Sequence, residues 1–295
     1  AEGDWMGAGG KYIFHDERTF EDAWEVVHRI GKDEKYIEWV TGPLDRAEDP
    51  DEYDYPGIDR IIDDSNLADR VQNYKEDGLF VTASMMQPYK RAWLLRGMEN
   101  LLSDYLVNPA FVEKLYDKIL ALDGEILRRC TTAGVDMIGI GGDIAMQDRL
   151  IMGPRHWREI DKPRLAALIA SCKAINPDLH VYIHSDGDLS AIMPDLIEIG
   201  FDVIDPIQPE CMDPVEIKEL YGDQITLHGC GSLQQTLPFG TVEDCQQEVI
   251  HLIEKCGYNG GLVLRVSNAI GFDVPIENVV AWFETARDYD MSSTS

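Results

Sequence analysis

From residue 78 to the C-terminus, short apolar runs rich in β-branched residues alternate with longer stretches whose apolar positions recur every three or four residues. The short runs predict strands over 78–86, 135–143, 179–187, 201–208, 225–231 and 261–271. The longer stretches predict helices over 89–107, 108–134, 154–175, 189–200, 213–222, 241–257 and 275–289. In 108–134, Phe111, Leu115 and Ile119 are spaced to share one face, Asn108 stands at the N-cap, Pro109 at the first helical position and Gly134 past the end. Two further helix starts are signalled by D-P-V-E from Asp213 to Glu216 and T-V-E-D from Thr241 to Asp244.

The predicted strands are almost continuously apolar, the pattern of a parallel sheet covered on both sides. No Gly-rich dinucleotide fingerprint follows any of them, and the links are only a few residues long. Strict alternation on these terms favours an α/β fold of the (β/α)8 TIM-barrel type over a doubly wound sheet. A weaker strand candidate occupies 35–42, so the barrel is expected to have an incomplete or irregular first strand. Residues 43–75 are acidic and punctuated by proline, which predicts an insertion or lid. The expected organisation is an N-terminal segment over 1–77 and a barrel body over 78–295, with the question open whether residues upstream of Ala1 complete the barrel.

Composition narrows the partners. The chain of 295 residues is 44% hydrophobic and contains no run of about eighteen apolar residues. Its first residues have neither a basic segment nor an apolar signal core. Six cysteines lie scattered without C-x-x-C spacing, which suits a reducing compartment, and a cytoplasmic protein is expected. Fifty-four acidic against twenty-six basic residues give a formal charge of -28, a field that repels nucleic acid and heavily carboxylated ligands. A small-molecule partner is expected, with no membrane and no nucleic acid.

In a parallel barrel the chemistry gathers at the C-terminal ends of the strands. Those ends are polar here: Ser84 and Gln87; Asp143 and Gln147; His184, Asp186 and Asp188; Asp205, Gln208 and Glu210; His228 and Cys230; Arg265, Ser267 and Asn268. His184 and Asp186 are two residues apart, so on an extended backbone both side chains leave the same face, roughly 6.5–7 Å apart at Cα. His228 and Cys230 repeat the spacing. The set His184, Asp186 and Cys230 is a candidate zinc site, because zinc accepts imidazole, carboxylate and thiolate. On spacing alone the same residues also serve as hydrogen-bonding partners that close the strands, with Cys230 as a small buried hydrophobe. Asp143 follows two glycines and is either a ligand-facing group or a turn cap. Lys90, Arg91 and Arg96 offer cations for an anionic group, but in so acidic a chain pairing with carboxylates is favoured.

Several stretches taken together resemble the uroporphyrinogen decarboxylase superfamily, which includes corrinoid-dependent methyltransferases. They are "RAWLLRGMENLLSDYLVNPAFVEKL", "GGDIAMQDRLIMGPRHWREIDKPRL", "HSDGDL" with "DLIEIGFDVIDPIQPE", "LPFGTVEDCQQEV" and "FDVPIENVVAWFETA". The resemblance implies the barrel fold and a site inside its C-terminal mouth. The decarboxylases carry an arginine-rich segment of the R-Q-A-G-R-Y kind, which has no counterpart in this sequence. The methyltransferase branch has an H-x-C pair where this chain has His184 and Asp186, and a further cysteine where it has Asn268. Fewer sulfur donors suit an oxygen-linked methyl group better than a thiol.

The resemblance therefore implies methyl transfer between a small O-, N- or S-methyl compound and a corrinoid (cobalamin) carried by a partner protein, with zinc as a second candidate cofactor. His184, Asp186 and Asp143 are the expected catalytic groups. Gln147, Gln208, Glu210, His228 and Asn268 are expected to contact substrate. A homodimer is one assembly this reading admits. The alternatives are a carboxy-lyase acting on a carboxylated pyrrole and a barrel that binds without catalysing.

Overall fold

The computed structural model describes residues 12–32 and 37–290. The chain forms two compact units, one comprising residues up to Gly142 together with Arg155–Leu179, the other Asp143–Pro154 together with residues from His180 onward.

The first unit opens with an antiparallel sheet of four strands in sequence order: β1 (Ile13–Phe14), β2 (Thr19–Glu21), β3 (Val27–Ile30) and β4 (Ile37–Thr41). Phe20 and His28 are cross-strand partners whose rings stack 5.2 Å apart. Buried Asp22 shapes the β2–β3 turn, accepting from the Trp24 and Val26 amides and facing His28 Nε2 at 3.0 Å. The candidate strand at 35–42 is present as β4, but it belongs to this antiparallel sheet and pairs with β3. Its first residues lie outside the described set.

The acidic stretch 43–75 contains a 3-10 turn at Pro50–Glu52 and two helices, α1 (Ile58–Ile61) and the first part of α2 (Leu67–Glu76). Part of its acidity has a local use. Asp49 and Asp51 hold Lys114, and Asp51 also holds Lys118. Then follow β5 (Thr82–Met86), α3 (Pro88–Arg96), α4 (Met98–Val107), α5 (Pro109–Thr132) and β6 (Met137–Gly141), with β5 and β6 parallel and in register from Thr82↔Met137 to Met86↔Gly141. Phe111, Leu115 and Ile119 are all buried, as their spacing predicts. The helix predicted over 89–107 is two helices that meet at Gly97. The cations on α3 are engaged: Arg91 lies over the Trp24 ring 3.6 Å from Asp123, Arg96 binds Asp104, and Lys90 sits over Trp93.

The helix predicted over 154–175 is also interrupted. A single turn α6 (Pro154–His156) leads into a π-turn at Trp157–Asp161 and then α7 (Lys162–Ile175). Pro163 has no N–H to donate to the fourth preceding carbonyl, so the ladder cannot run through unbroken. Arg164 Nη1 takes up the carbonyl of Ile160 at 3.0 Å.

The second unit begins with a hairpin too short to register in the hydrophobic pattern, β7 (Ala145–Met146) and β8 (Arg149–Leu150). Parallel strands β9 (His180–His184), β10 (Val203–Asp205), β11 (Thr226–His228) and β12 (Leu262–Val263) follow in spatial order β9-β10-β11-β12. Between and after them lie α8 (Met193–Ile199), α9 (Pro214–Tyr221), α10 (Thr236–Phe239), α11 (Val242–Cys256) and α12 (Ile276–Asp288). Thus six parallel strands occupy the six predicted positions. Asp213 caps α9, and Thr241 with Asp244 forms a capping box on α11, both as the sequence signals predict. Val181, Ile183, Ile204 and Leu227 are fully buried, and Trp282 packs with Leu237, Cys245, Val249, Ile253 and Val266. All six cysteines are free thiols. Among the described residues no helix is long and apolar enough to cross a membrane.

The π-turn ends on Asp161, which is buried in the first unit beside Tyr105 and Tyr116. Burial pushes its carboxyl up to about 7, against the hydrogen bonds from the two tyrosines. The folded chain therefore holds a proton that the unfolded chain releases near pH 4. Stability contributed by this group is full below that pH and is lost as pH rises toward 7, by about 1.4 kcal/mol per unit and at most about 4 kcal/mol in all. Asp161→Asn should remove this slope. In urea unfolding the variant is expected to gain on the wild type between pH 5 and pH 7.5; an unchanged difference would refute the assignment.

Candidate active site

The candidate site lies in the second unit, at the C-terminal ends of three adjacent strands. β9 and β10 pair with Asp205 opposite His184, and the β10–β11 register, Ile204↔Leu227, carries Asp205 alongside His228. Neighbours in parallel register project to the same face. The sheet therefore lines up imidazole, carboxylate and imidazole in one row.

Asp205 is completely buried. Its Oδ2 accepts from His184 Nδ1 at 2.5 Å and from the Tyr182 hydroxyl, and its Oδ1 accepts from His228 Nδ1 at 2.6 Å. Arg265 Nη1 stands 3.8 Å from Oδ1. Burial works to raise the Asp205 pKa, but the bonds from His184, His228 and Tyr182 outweigh it and hold the carboxyl well below the usual carboxylate range. The Tyr182 hydroxyl is pushed up, first by burial and then by the adjacent Asp205 charge.

Beyond β9 the chain turns sharply through Ser185, Asp186 and Gly187. Ser185 Oγ accepts from the Ile144 amide and donates to the Asp186 carbonyl. The Asp143 carboxylate accepts from the Asp186 amide at 3.1 Å. Gln208 Oε1 accepts from the Gly187 amide, and Asp188 donates its amide to the Met146 carbonyl. Gly187 has φ +94, and a Cβ there would lie 2.4 Å from that same carbonyl oxygen. Only glycine lets the turn sit on the β7–β8 hairpin.

These contacts gather Asp143, His184 and Asp186, each offering a ligand atom within 4.8 Å of the others. His184 Nε2 is 4.0 Å from Asp186 Oδ1. That oxygen is buried and has no hydrogen-bond partner, while Oδ2 accepts from Asn268 Nδ2 at 2.6 Å. Burial raises the Asp186 pKa, and the neighbouring charge of Asp143 adds to the effect against the pull of His184 and Asn268. Burial disfavours the charged form of His184, but the bond to Asp205 and the charges of Asp205, Asp186 and Asp143 prevail and raise its pKa. One imidazole and two carboxylates with an open buried oxygen form a nitrogen–oxygen donor set of the type that divalent cations accept.

The sequence-predicted residues divide as follows. The trio Asp143, His184 and Asp186 comes together, with Asn268 bonded to it and His228 joined through Asp205. Gln208 is buried and braces the turn by its bond to Gly187. Glu210 Oε1 accepts from the Ser232 hydroxyl and the Gln234 amide, and exposed Gln147 donates to Gln234 Oε1, so these two form a separate polar string.

Of the expected ligand set His184, Asp186 and Cys230, the first two lie together, but Cys230 is not among the gathered groups, and the third member of that cluster is Asp143. The reason lies in Gly229, whose φ of +68 ends the extended backbone and breaks the alternation that would have set His228 and Cys230 on one face. The Cys230 thiol is buried, and burial pushes its pKa well above the usual value, so it stays protonated and behaves as a small apolar group. Sequence reasoning named Asp205 among the polar strand ends but gave it no role, and it passed over Tyr182, which stands two residues before His184 on the same strand face.

The family model of uroporphyrinogen decarboxylase (URO-D) matches residues 43–289, and the chain belongs to that family. A methyltransferase from Methanosarcina mazei has the same fold, with a TM-score of 0.70 and 20% identity over 90% of this chain and 76% of its own. A glycoside hydrolase structure aligns at 13% identity over 77% of this chain and 94% of its own, with a TM-score of only 0.29. No curated protein sequence matches the chain significantly. The fold class is α/β, with the alternation of parallel strands and helices that is expected for a barrel of this family.

Gly229 also faces Asp205: a Cβ on it would lie 2.7 Å from Oδ1. Gly229→Ala is expected to cost about 1–2 kcal/mol for the left-handed backbone alone, plus whatever displaces the carboxylate. Thermal unfolding should show a lowered midpoint, and a neutral substitution would mean that the row of side chains is looser than described.

Proposed function

We propose that this chain is a methyltransferase, transferring a methyl group between a small methylated compound and a corrinoid carried by a partner protein. Family membership and the fold shared with a methyltransferase support the class of reaction. The observation that carries the reading to particular residues is the gathered trio Asp143, His184 and Asp186, which holds a buried carboxylate oxygen open.

In the demethylating direction the bond between methyl carbon and heteroatom breaks, and its electron pair stays on the heteroatom. The corrinoid supplies a methyl acceptor when bound. The chain has to stabilise the pair left behind, by a proton or by a cation. His184, raised in pKa and anchored by Asp205 through Nδ1, would give that proton through Nε2. Asp143, His184 and Asp186 would alternatively hold a divalent cation such as zinc, which supplies Lewis-acid stabilisation of the same charge. The donors are oxygen and nitrogen, so an O-methyl compound fits the site better than a methyl thioether. Asn268 fixes one oxygen of Asp186 and leaves the other for the reacting group. The charge of -28 argues against the polyanionic substrate that decarboxylation of a porphyrinogen would need.

Purified protein mixed with methylcobalamin or a corrinoid partner and a panel of methyl ethers and their demethylated forms should change the cobalamin absorption spectrum. His184→Ala and Asp186→Asn are expected to slow that change about 100-fold or more. No spectral change across the panel, with partner supplied, would refute the proposal.

Metal analysis of the untagged protein tests the cation separately. A stoichiometric divalent metal should be lost in His184→Ala and kept in Cys230→Ala; loss in Cys230→Ala would return the thiol to the ligand set.

A further inference from the structure

An ionised carboxylate can accept hydrogen bonds but not donate them. Each oxygen of Asp205 meets the Nδ1 atom of a different histidine, Oδ2 that of His184 and Oδ1 that of His228. Both Nδ1 atoms must therefore carry hydrogen. In water the neutral imidazole ring prefers its proton on Nε2, so a buried carboxylate between two Nδ1 atoms imposes the less common form twice. Among the described residues neither Nε2 has a hydrogen-bond partner, and both side chains keep some exposure, 29% for His184 and 18% for His228. Further groups crowd the carboxylate. Tyr182 donates to Oδ2 and stands edge-on to the His228 ring at 5.7 Å, and the Gly229 backbone approaches Oδ1 closely.

We infer that Asp205 is a positioning residue that locks His184 and His228 together with Nδ1–H directed at itself, so that the ligand meets two Nε2 atoms instead of one. His228 then presents a second ring nitrogen beside that of His184, reached by a ligand with two hydrogen-bond donors, while the cation-type donor set remains Asp143, His184 and Asp186. This deepens the methyltransferase reading by adding a second imidazole to its site. The lock itself is a property of the resting protein and needs no turnover to be observed.

Ring-nitrogen NMR of the 15N-labelled, chelator-treated protein tests it, with His184→Gln and His228→Gln assigning the two rings. Both Nδ1 atoms are expected to be protonated from pH 6 to pH 9, whether the ring is neutral or charged. A bare Nδ1 on either ring overturns the inference. Asp205→Asn leaves one acceptor oxygen and one donating amide, so one of the two rings should switch to the Nε2–H form. Zinc titration followed by calorimetry should then show affinity weakened about 10- to 100-fold. Both rings keeping Nδ1–H in that variant, with zinc affinity unchanged, would equally overturn it.

Tyr182→Phe removes a donor without touching either imidazole bond and should keep both rings as in the wild type; a switched ring there would assign the lock to Tyr182 instead. If Asp205→Asn does not fold, the wild-type spectrum decides alone. Absence of methyl transfer with the lock intact would count against the proposed reaction and leave this inference standing.

Discussion

A carboxylate removed from water survives as an anion only if donors surround it, and the environment of Asp205 is built around that requirement. Two imidazoles and a phenol hydroxyl supply the donors. The strand register sets His184, Asp205 and His228 side by side, and Gly229 gives the backbone room to pass the carboxylate. Around the buried charge both histidine rings turn their Nδ1 atoms inward.

The neighbouring trio has the opposite character. Asp186 sits between two other acids and a histidine, and one of its oxygens is buried without a partner. An unsatisfied buried group lowers stability, and such departures from local consistency are expected where a protein binds or reacts. A fully satisfied anion beside an under-satisfied one divides the labour. Asp205 spends both oxygens on neighbouring donors, whereas Asp186 keeps one oxygen without a partner.

The first unit handles buried polarity differently. Burial beside two tyrosines raises the Asp161 pKa toward neutrality, whereas Arg91 is covered by Trp24 and faces Asp123. The overall charge of -28 shows little of this, because the acids that matter are set apart by burial and partners rather than by number.

The six parallel strands, the capped helix starts at Asp213 and Thr241 and the buried face of α5 were legible in the sequence, because apolar periodicity and capping are local and each segment carries its own signal. The convergence of His184 with Asp186 was legible for the same reason. What the sequence could not determine depends on residues far apart in the chain. Asp143, not Cys230, lies with His184 and Asp186 because a left-handed glycine reversed the expected facing, and Asp205 meets its two imidazoles only once three strands lie in register. The antiparallel placement of β4 likewise rested on its partner strand, since a single apolar run does not say which neighbour it will pair with. Side-chain chemistry is written in the sequence; which groups share one buried space is decided by packing.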